Sequence, residues 1–337
     1  MTTKEINLLH RDLYVRYGPH AVELITTHAS WVFLTPEYAY KIKKPVQFSF
    51  LDYSTVEKRE HALQEELRLN RRFTKDVYLE VVEISSKDNR YYLETAIGNR
   101  LDFALKMRRI DPLSQMDRQL DEGKVGPLHM KQLAEQIADF HNKAERRNHW
   151  LNLEALKEQF NDIKIIEDFI LAHFGPQASK RIEESIRLSN QFLEEQFEYM
   201  LERETAGWVI DGHGDLHARN IFLVDPPILF DCIEFNEAFR VMDILNEIAF
   251  FCMDLHYFGR QDLVAHFMEY YLTLVPCIQN ATDWMLFHYF KLYRANVRLK
   301  VNTLNAMQTE TPEELNALLP TIQSYLELYT YYLRALH

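Results

Sequence analysis

The chain has 337 residues, enough for about two domains at roughly 100–200 residues each. It is 47% hydrophobic and 26% charged with only 9 Gly and 11 Pro, which excludes collagen-like, linker-like and wholly disordered chains. With 38 Lys+Arg against 50 Asp+Glu, net -12, it is too acidic to track a nucleic-acid backbone, although a few lysines and a metal ion suffice for one polyphosphate.

The residues from Met1 to Asn7 lack the apolar core of a signal peptide. Two aromatic and β-branched runs, 31–35 and 38–43, flank Pro36-Glu37 and predict a β-hairpin. In the second run Lys41 and Lys43 alternate with Tyr40 and Ile42, so both lysines share one face of a sheet. Ser54-Thr55 opens a helical pattern to about Phe73, with Leu63, Leu67 and Leu69 apolar. Residues 77–84, 91–96 and 103–107 predict three more strands, with turns at Asn89 and Gly98-Asn99. After about Ile110 the character changes. Pro112 and Gly126-Pro127 punctuate a polar connector, and helices are expected over 130–145, 154–174, 177–204, 263–274, 283–304 and 312–335. The most apolar stretch, 248–253, stops at Glu247 and Asp254, short of the ~20 residues that span a bilayer. Cys232, Cys252 and Cys277 form no CxxC and fit reduced thiols. The expectation is a cytoplasmic α+β protein with no nucleic-acid or membrane partner: a small β-rich lobe over 1–110 and a large, mainly helical lobe over 111–337.

One strand-like island, 208–230, interrupts the helices and carries the chemistry. It reads Asp211-Gly-His213-Gly-Asp215-Leu-His217-Ala-Arg219-Asn220, then two apolar runs around Asp225-Pro226-Pro227, then Asp231. Asp215 and Asn220 have the Asp-x-x-x-x-Asn spacing of a phosphotransferase catalytic loop, in which the Asp accepts the proton of the attacking hydroxyl and the Asn oxygen binds Mg²⁺. Asp231, after the strand 228–230, stands where a second metal-binding carboxylate is needed, and Mg²⁺ keeps several waters, so two protein oxygens are enough. Arg219, inside the loop, could approach a γ-phosphate or form a salt bridge within the loop.

His213-Gly-Asp215-Leu-His217-x-x-Asn220 with the later Asp231 resembles the aminoglycoside phosphotransferase family, relatives of choline kinases and protein kinases. The resemblance covers most of the chain and implies a two-lobed, protein-kinase-like fold. It implies a phosphotransferase that uses ATP, with GTP the alternative, and Mg²⁺. It makes Asp215 the base, Asn220 and Asp231 the metal ligands, and His213 a brace for the loop. Lys41 resembles the lysine that contacts the α- and β-phosphates, with Lys43 its rival on the same face. Glu66 resembles that lysine's ion-pair partner, and Asp243 the carboxylate that supports the loop. The run from Lys41 to Asn70 is most similar to an uncharacterised bacterial branch. Some members there carry a further ATP-binding domain downstream, which this chain is expected to end too early to hold.

Two departures bear on the substrate. Residues 26–30, Thr-Thr-His-Ala-Ser, replace a Gly-rich loop, leaving Ser30 or backbone amides to cover the phosphates, and Asp231-Cys-Ile replaces Asp-Phe-Gly. Both argue for a small-molecule kinase over a protein kinase. Each assignment has a plainer reading: a solvated turn for Asp215, Asn220 and Asp231, an exposed strand lysine for Lys41, a surface carboxylate for Glu66. Glu65, about 100° around the helix, cannot share the role of Glu66. The aromatic residues of the C-terminal helices read as core. Two other function classes compete: a metal-dependent hydrolase built on His213, Asp215 and His217 with Asp231 as a bridge, and a non-catalytic nucleotide-binding kinase-fold protein. The charge is also unevenly split. Residues 1–110 hold 18 Lys+Arg and 15 Asp+Glu, whereas 111–337 hold 20 and 35, an acidic lobe that either favours a cationic acceptor such as an amine or merely keeps its helices soluble.

Overall fold

The first element is one the sequence patterns above do not anticipate. In the computed structural model, which describes residues 1–18, 20–48 and 51–336, helix α1 (Thr3–Tyr17) opens with a capping box between Thr2 and Glu5 and buries Ile6, Leu9 and Leu13 along one stripe. The chain forms two compact units, Met1–Gln119 with Arg219–Arg240, and Leu120–Ala218 with Val241–His337.

The first unit continues with β1 (Glu23–Thr26), β2 (Ser30–Leu34), β3 (Tyr38–Lys43), the short β4 (Gln47–Phe48) and β5 (Leu51–Asp52), α2 (Val56–Asn70), β6 (Tyr78–Lys87), β7 (Arg90–Leu93) and β8 (Asn99–Arg108). Six strands make an antiparallel sheet in the order β1-β2-β3-β8-β6-β7. Its two faces are read from the alternation along β3. Tyr40 and Ile42 join Trp31, Phe33, Ile84 and Ala104 under α1. Ala39 joins Tyr78, Phe103, Leu105 and Met107 under Leu63 and Leu67 of α2. The predicted hairpin of 31–43 is β2–β3, with Val32 opposite Lys41. Thr55 caps α2 by accepting the Lys58 amide, and the helix ends at Asn70 rather than Phe73.

Helix α3 (Met116–Asp121) leads into the second unit, built from α4 (Pro127–Lys143), α5 (Leu153–Asn161), α6 (Glu167–Phe174), α7 (Pro176–Thr205) and β9 (Val209–Asp211). The single helix expected over 154–174 is instead broken by a 3-10 segment, Asp162–Ile166. Three residues per turn place Ile163 and Ile166 on one side, and both are buried. The chain returns to the first unit for the ribbon β10 (Ile221–Phe222) and β11 (Ile228–Leu229), then completes the second with β12 (Val241–Asp243), α8 (Ile244–Tyr257), α9 (Gln261–Leu274), α10 (Ala281–Met307) and α11 (Pro312–Arg334). Helix α8 is buried without interruption from Ile244 to Leu255, the signature of a central helix. No helix among the described residues is long and apolar enough to cross a membrane.

The α2 face of the sheet is a tight core, and Leu63 within it is fully buried. Leu63→Ala should lower stability by about 2–4 kcal/mol, seen as a reduced urea midpoint with an unchanged slope.

Candidate functional site

In the first unit the site begins with the parity of β3. Lys41 and Lys43 project from the α2 face, where Glu66 is fully buried. Glu66 Oε1 lies 2.7 Å from Lys41 Nζ and Oε2 lies 2.6 Å from Lys43 Nζ. Each lysine has a second carboxylate: Asp231 for Lys41 at 2.9 Å, Glu234 for Lys43 at 2.5 Å. Burial alone would raise the Glu66 carboxyl, but the two ammonium groups outweigh it and hold it down at about 2. Burial alone would lower both lysines, and the surrounding carboxylates more than reverse it. The two are not equivalent. Lys43 is 2% exposed and further enclosed by the Tyr53 ring, whereas Lys41 is 17% exposed beside an Asp231 that is 42% exposed. Of the two, Lys41 is the more exposed.

Asp231 has a left-handed backbone, φ 61, which Asp tolerates better than most residues. The strained residue is pinned on both sides: its own amide donates to the Tyr78 hydroxyl at 3.0 Å, and the Cys232 amide donates to Asn70 Oδ1 at 2.9 Å. The β10–β11 ribbon brings Asn220 and Asp231 to one end, where the Phe230 amide donates to the Asn220 carbonyl at 2.8 Å. An amide oxygen and a carboxylate form a hard-oxygen donor set that fits Mg²⁺ with its waters. Ser30 is buried at the β1–β2 turn. There the Thr27 hydroxyl accepts the Ser30 amide at 3.0 Å, and the Lys44 amide donates to the Ala29 carbonyl at 2.8 Å. Side-chain and backbone bonds thus stiffen a turn that lacks glycine. Arg219 is 66% exposed and lies 3.4 Å from Asp117 on α3, so its ion pair reaches outside the loop.

In the second unit the loop from Asp211 to Ala218 hangs from the β9–β12 pair, in which Asp211 faces Val241 and Val209 faces Asp243. Its amides converge on a residue the sequence reading left aside. Glu247, 1% exposed on α8, accepts the His213 amide at 2.5 Å, the Gly214 amide at 2.8 Å and His141 Nε2 at 2.8 Å. The Glu247 carboxyl is held at about 2: burial would raise it, and His141 with the loop amide outweighs that. Since Glu247 only accepts, His141 donates through Nε2, and its Nδ1 takes the Tyr271 hydroxyl at 2.5 Å. A side chain at residue 212 would place Cβ 2.7 Å from Glu247 Oε1, so the loop needs glycine there. Two helical turns further along α8, Asp254 accepts the Ala218 amide at 2.8 Å. Glu247 and Asp254 are the two charges that end the apolar run 248–253. Seven residues apart, they share one helix face, and that spacing was the available signal.

Asp215 is steadied by His213, whose Nδ1 accepts the Asp215 amide at 3.3 Å, and by His217 Nε2, 3.3 Å from Oδ2. Burial would raise the Asp215 carboxyl; His217, Arg298 and His213 together hold it well below the ordinary carboxylate range. Asp243 acts at one remove from the loop: it pairs with Arg203 at 2.7 Å and caps α8 through the Leu245 amide at 2.8 Å. Among the described residues, no group of three or more His, Cys, Asp or Glu side chains is arranged to hold a metal ion, so the His213-Asp215-His217 hydrolase reading gains no support.

No family model matches the chain. Uncharacterised proteins of Mycobacterium tuberculosis and Mycobacterium bovis are 29% identical over 302 residues, covering 85% of this chain and 56% of theirs. The chain thus spans about half the length of the curated relatives it matches. A choline kinase from Cryptosporidium parvum has a TM-score of 0.55 at 11% identity, covering 98% of this chain and 97% of that one. The GDP complex of an aminoglycoside 2'-phosphotransferase-IIIa has a TM-score of 0.51 at 12% identity, covering 97% and 99%. The fold is therefore the one the sequence resemblance implies, shared with aminoglycoside phosphotransferases and choline kinases.

Lys43→Ala takes the ammonium from Glu234 and one of two from Glu66, and should cost about 3–5 kcal/mol in urea unfolding, with Lys41→Ala distinctly milder. Because the Glu66 carboxyl is depressed from 4.5 to about 2, its stabilisation is complete above the ordinary range and is lost as pH falls through that window. Unfolding measured against pH should show this acid loss reduced in Glu66→Gln, a comparison made relative to that variant's own neutral-pH stability.

Proposed function

We propose that this protein is an ATP- and Mg²⁺-dependent phosphotransferase that moves the γ-phosphoryl group to a hydroxyl of a small molecule. The observation that carries this reading is the Lys41 ammonium bound at once to Glu66 and to Asp231, at 2.7 and 2.9 Å. A cation fixed by a buried carboxylate, next to an exposed carboxylate on a strained turn, suits a nucleotide polyphosphate with its metal. The aminoglycoside phosphotransferase of similar fold was solved with GDP, which supports a nucleotide here.

In this reading residues 1–110 cover the nucleotide, with adenine against the segment after Met107 to Arg109, and 111–337 supply the catalytic loop and the acceptor's binding residues. Lys41 holds the α- and β-phosphates, and the 26–30 turn with Ser30 offers amides to the rest. Asn220 and Asp231 would hold Mg²⁺, which when bound neutralises charge on the phosphates. Asp215 orients the acceptor hydroxyl. As the acceptor oxygen bonds to the γ-phosphorus, the bond from phosphorus to the bridging oxygen breaks, ADP leaves with that electron pair, and the hydroxyl proton passes to Asp215. A carboxylate held this far below its ordinary range is a weak base, so its main work is alignment. Arg219, whose side chain pairs with Asp117 at 3.4 Å, turns in this reading toward the γ-phosphate. A cytoplasmic location fits the three buried, unbridged cysteines.

The test is a panel of hydroxyl compounds with ATP or GTP and Mg²⁺, followed by mass spectrometry of phosphorylated product. Asp215→Asn should slow transfer by roughly 10²–10⁴-fold, and Asp231→Ala should weaken metal-dependent nucleotide binding. Undiminished nucleotide consumption in Asp215→Asn would sink the assignment. Tight nucleotide binding with no turnover in the wild type would favour the non-catalytic alternative.

A further inference from the structure

The second unit is acidic overall, yet the charge that α10 turns toward the loop is basic. Arg294 is buried, and it donates through Nη1 to the Gly214 carbonyl at 3.2 Å and through Nε to Asn246 Oδ1 at 2.7 Å. Arg298 follows four residues later on the same helix face. Its Nε donates to the Tyr325 hydroxyl at 3.2 Å, and its guanidinium sits 5.4 Å from the centre of the Tyr325 ring. Tyr325 in turn stacks on Tyr257 at 4.2 Å. Among the described residues no salt bridge holds Arg298. The two carboxylates whose charge reaches it have other partners: the Ala218 amide for Asp254, and His217 for Asp215. The excess acid lies elsewhere. On α7, Glu183, Glu184, Glu194, Glu195, Glu198 and Glu202 are all exposed to solvent.

We propose that Arg298 reads the charge of the acceptor, so that the hydroxyl compound phosphorylated here carries an oxyanion group, a carboxylate or a phosphate monoester. The inference rests on the phosphotransferase reading above, and it reverses the amine expectation drawn from net charge. Tyr325 fixes one edge of a planar guanidinium and leaves the terminal nitrogens for a two-pronged contact, the geometry that suits carboxylate and phosphate. The Tyr257–Tyr325 stack limits how the arginine can turn, so the anion is held at a set place while Asp215 aligns the hydroxyl. Two negative groups on the protein and one on the acceptor would repel without this charge, and Arg298 is the group that offsets them.

The experiment uses the full chain with glycolate, glycerate and gluconate, each against its amide, with glycerol 3-phosphate as the phosphate arm and ethanolamine as the cationic arm. Binding is measured by calorimetry, and transfer from ATP separately by product mass. The wild type should bind at least one anion about 10-fold or more tightly than its neutral counterpart, and Arg298→Gln should bring that ratio close to unity, with Arg298→Lys between. The preferred arm tells carboxylate from phosphate. Equal binding of acid and amide, preference for ethanolamine, or no binding of any anion overturns the proposal. So does an acid-to-amide ratio that survives Arg298→Gln while kcat falls for both, which would make Arg298 a positioning residue for Asp215. So does a loss confined to ATP binding, which would assign it to the γ-phosphate. If Arg298→Gln fails to fold by circular dichroism, the wild-type ratio and Arg298→Lys decide. Anion preference with no transfer to any probe would refute the phosphotransferase reading and leave the anion site standing.

Discussion

A carboxylate removed from water must be answered by charge, and the first unit is organised around one such answer. Glu66 is fully buried and is met by two ammonium groups from alternate positions of one strand. That requirement fixes three things together. It sets which face of β3 looks at α2, since a one-residue slip would put Tyr40 and Ile42 against Glu66. It sets the rotation of α2, which sends the adjacent Glu65 outward to a surface pair with Arg68 at 2.7 Å. It also draws in residues 231–234, because Lys41 and Lys43 each take a second carboxylate from that segment.

The second unit solves a similar problem with neutral donors. Glu247 is as buried as Glu66, but it is satisfied by two loop amides and a histidine instead of by lysines. Backbone amides have fixed directions, so the carboxylate sets the path of the chain through residues 212–214. The same bonds explain the glycine at 212, where any side chain would collide with the carboxylate. Asp215 follows directly, and its position is thus inherited from a residue on a different element.

Much of this was legible in the sequence where a single period or a short spacing was enough. The alternation of Lys41 and Lys43 and the strand–loop–strand island rest on local geometry; Glu66 was picked out by the family resemblance, and helix geometry added only that Glu65 cannot share its role. What escaped had non-local causes. Helix α8 carries no amphipathic period because it is buried on all sides, so its apolar run gave a membrane test and no role. Glu247 and Asp254 looked like the charged ends of that run, and only tertiary packing turns them toward the loop. The break at 162–166 keeps the helical composition on either side and is set by where Ile163 and Ile166 must point. The uneven charge of the two halves was real, yet it described exposed helix faces such as those of α7 more than the surroundings of Asp215.

The contact between Lys41 and Asp231 has a thermodynamic corollary. Each is the other's partner at 2.9 Å. On the proposed reading, a metal arriving at Asp231 competes with an ammonium, and a phosphate arriving at Lys41 competes with a carboxylate. Either one alone breaks the pair and leaves the remaining charge without its neighbour. Arriving together, each compensates the charge the other exposes. Metal and nucleotide should therefore strengthen one another by the same factor in both directions, and this reciprocity would make the complex of the two, rather than either component, the species the first unit selects.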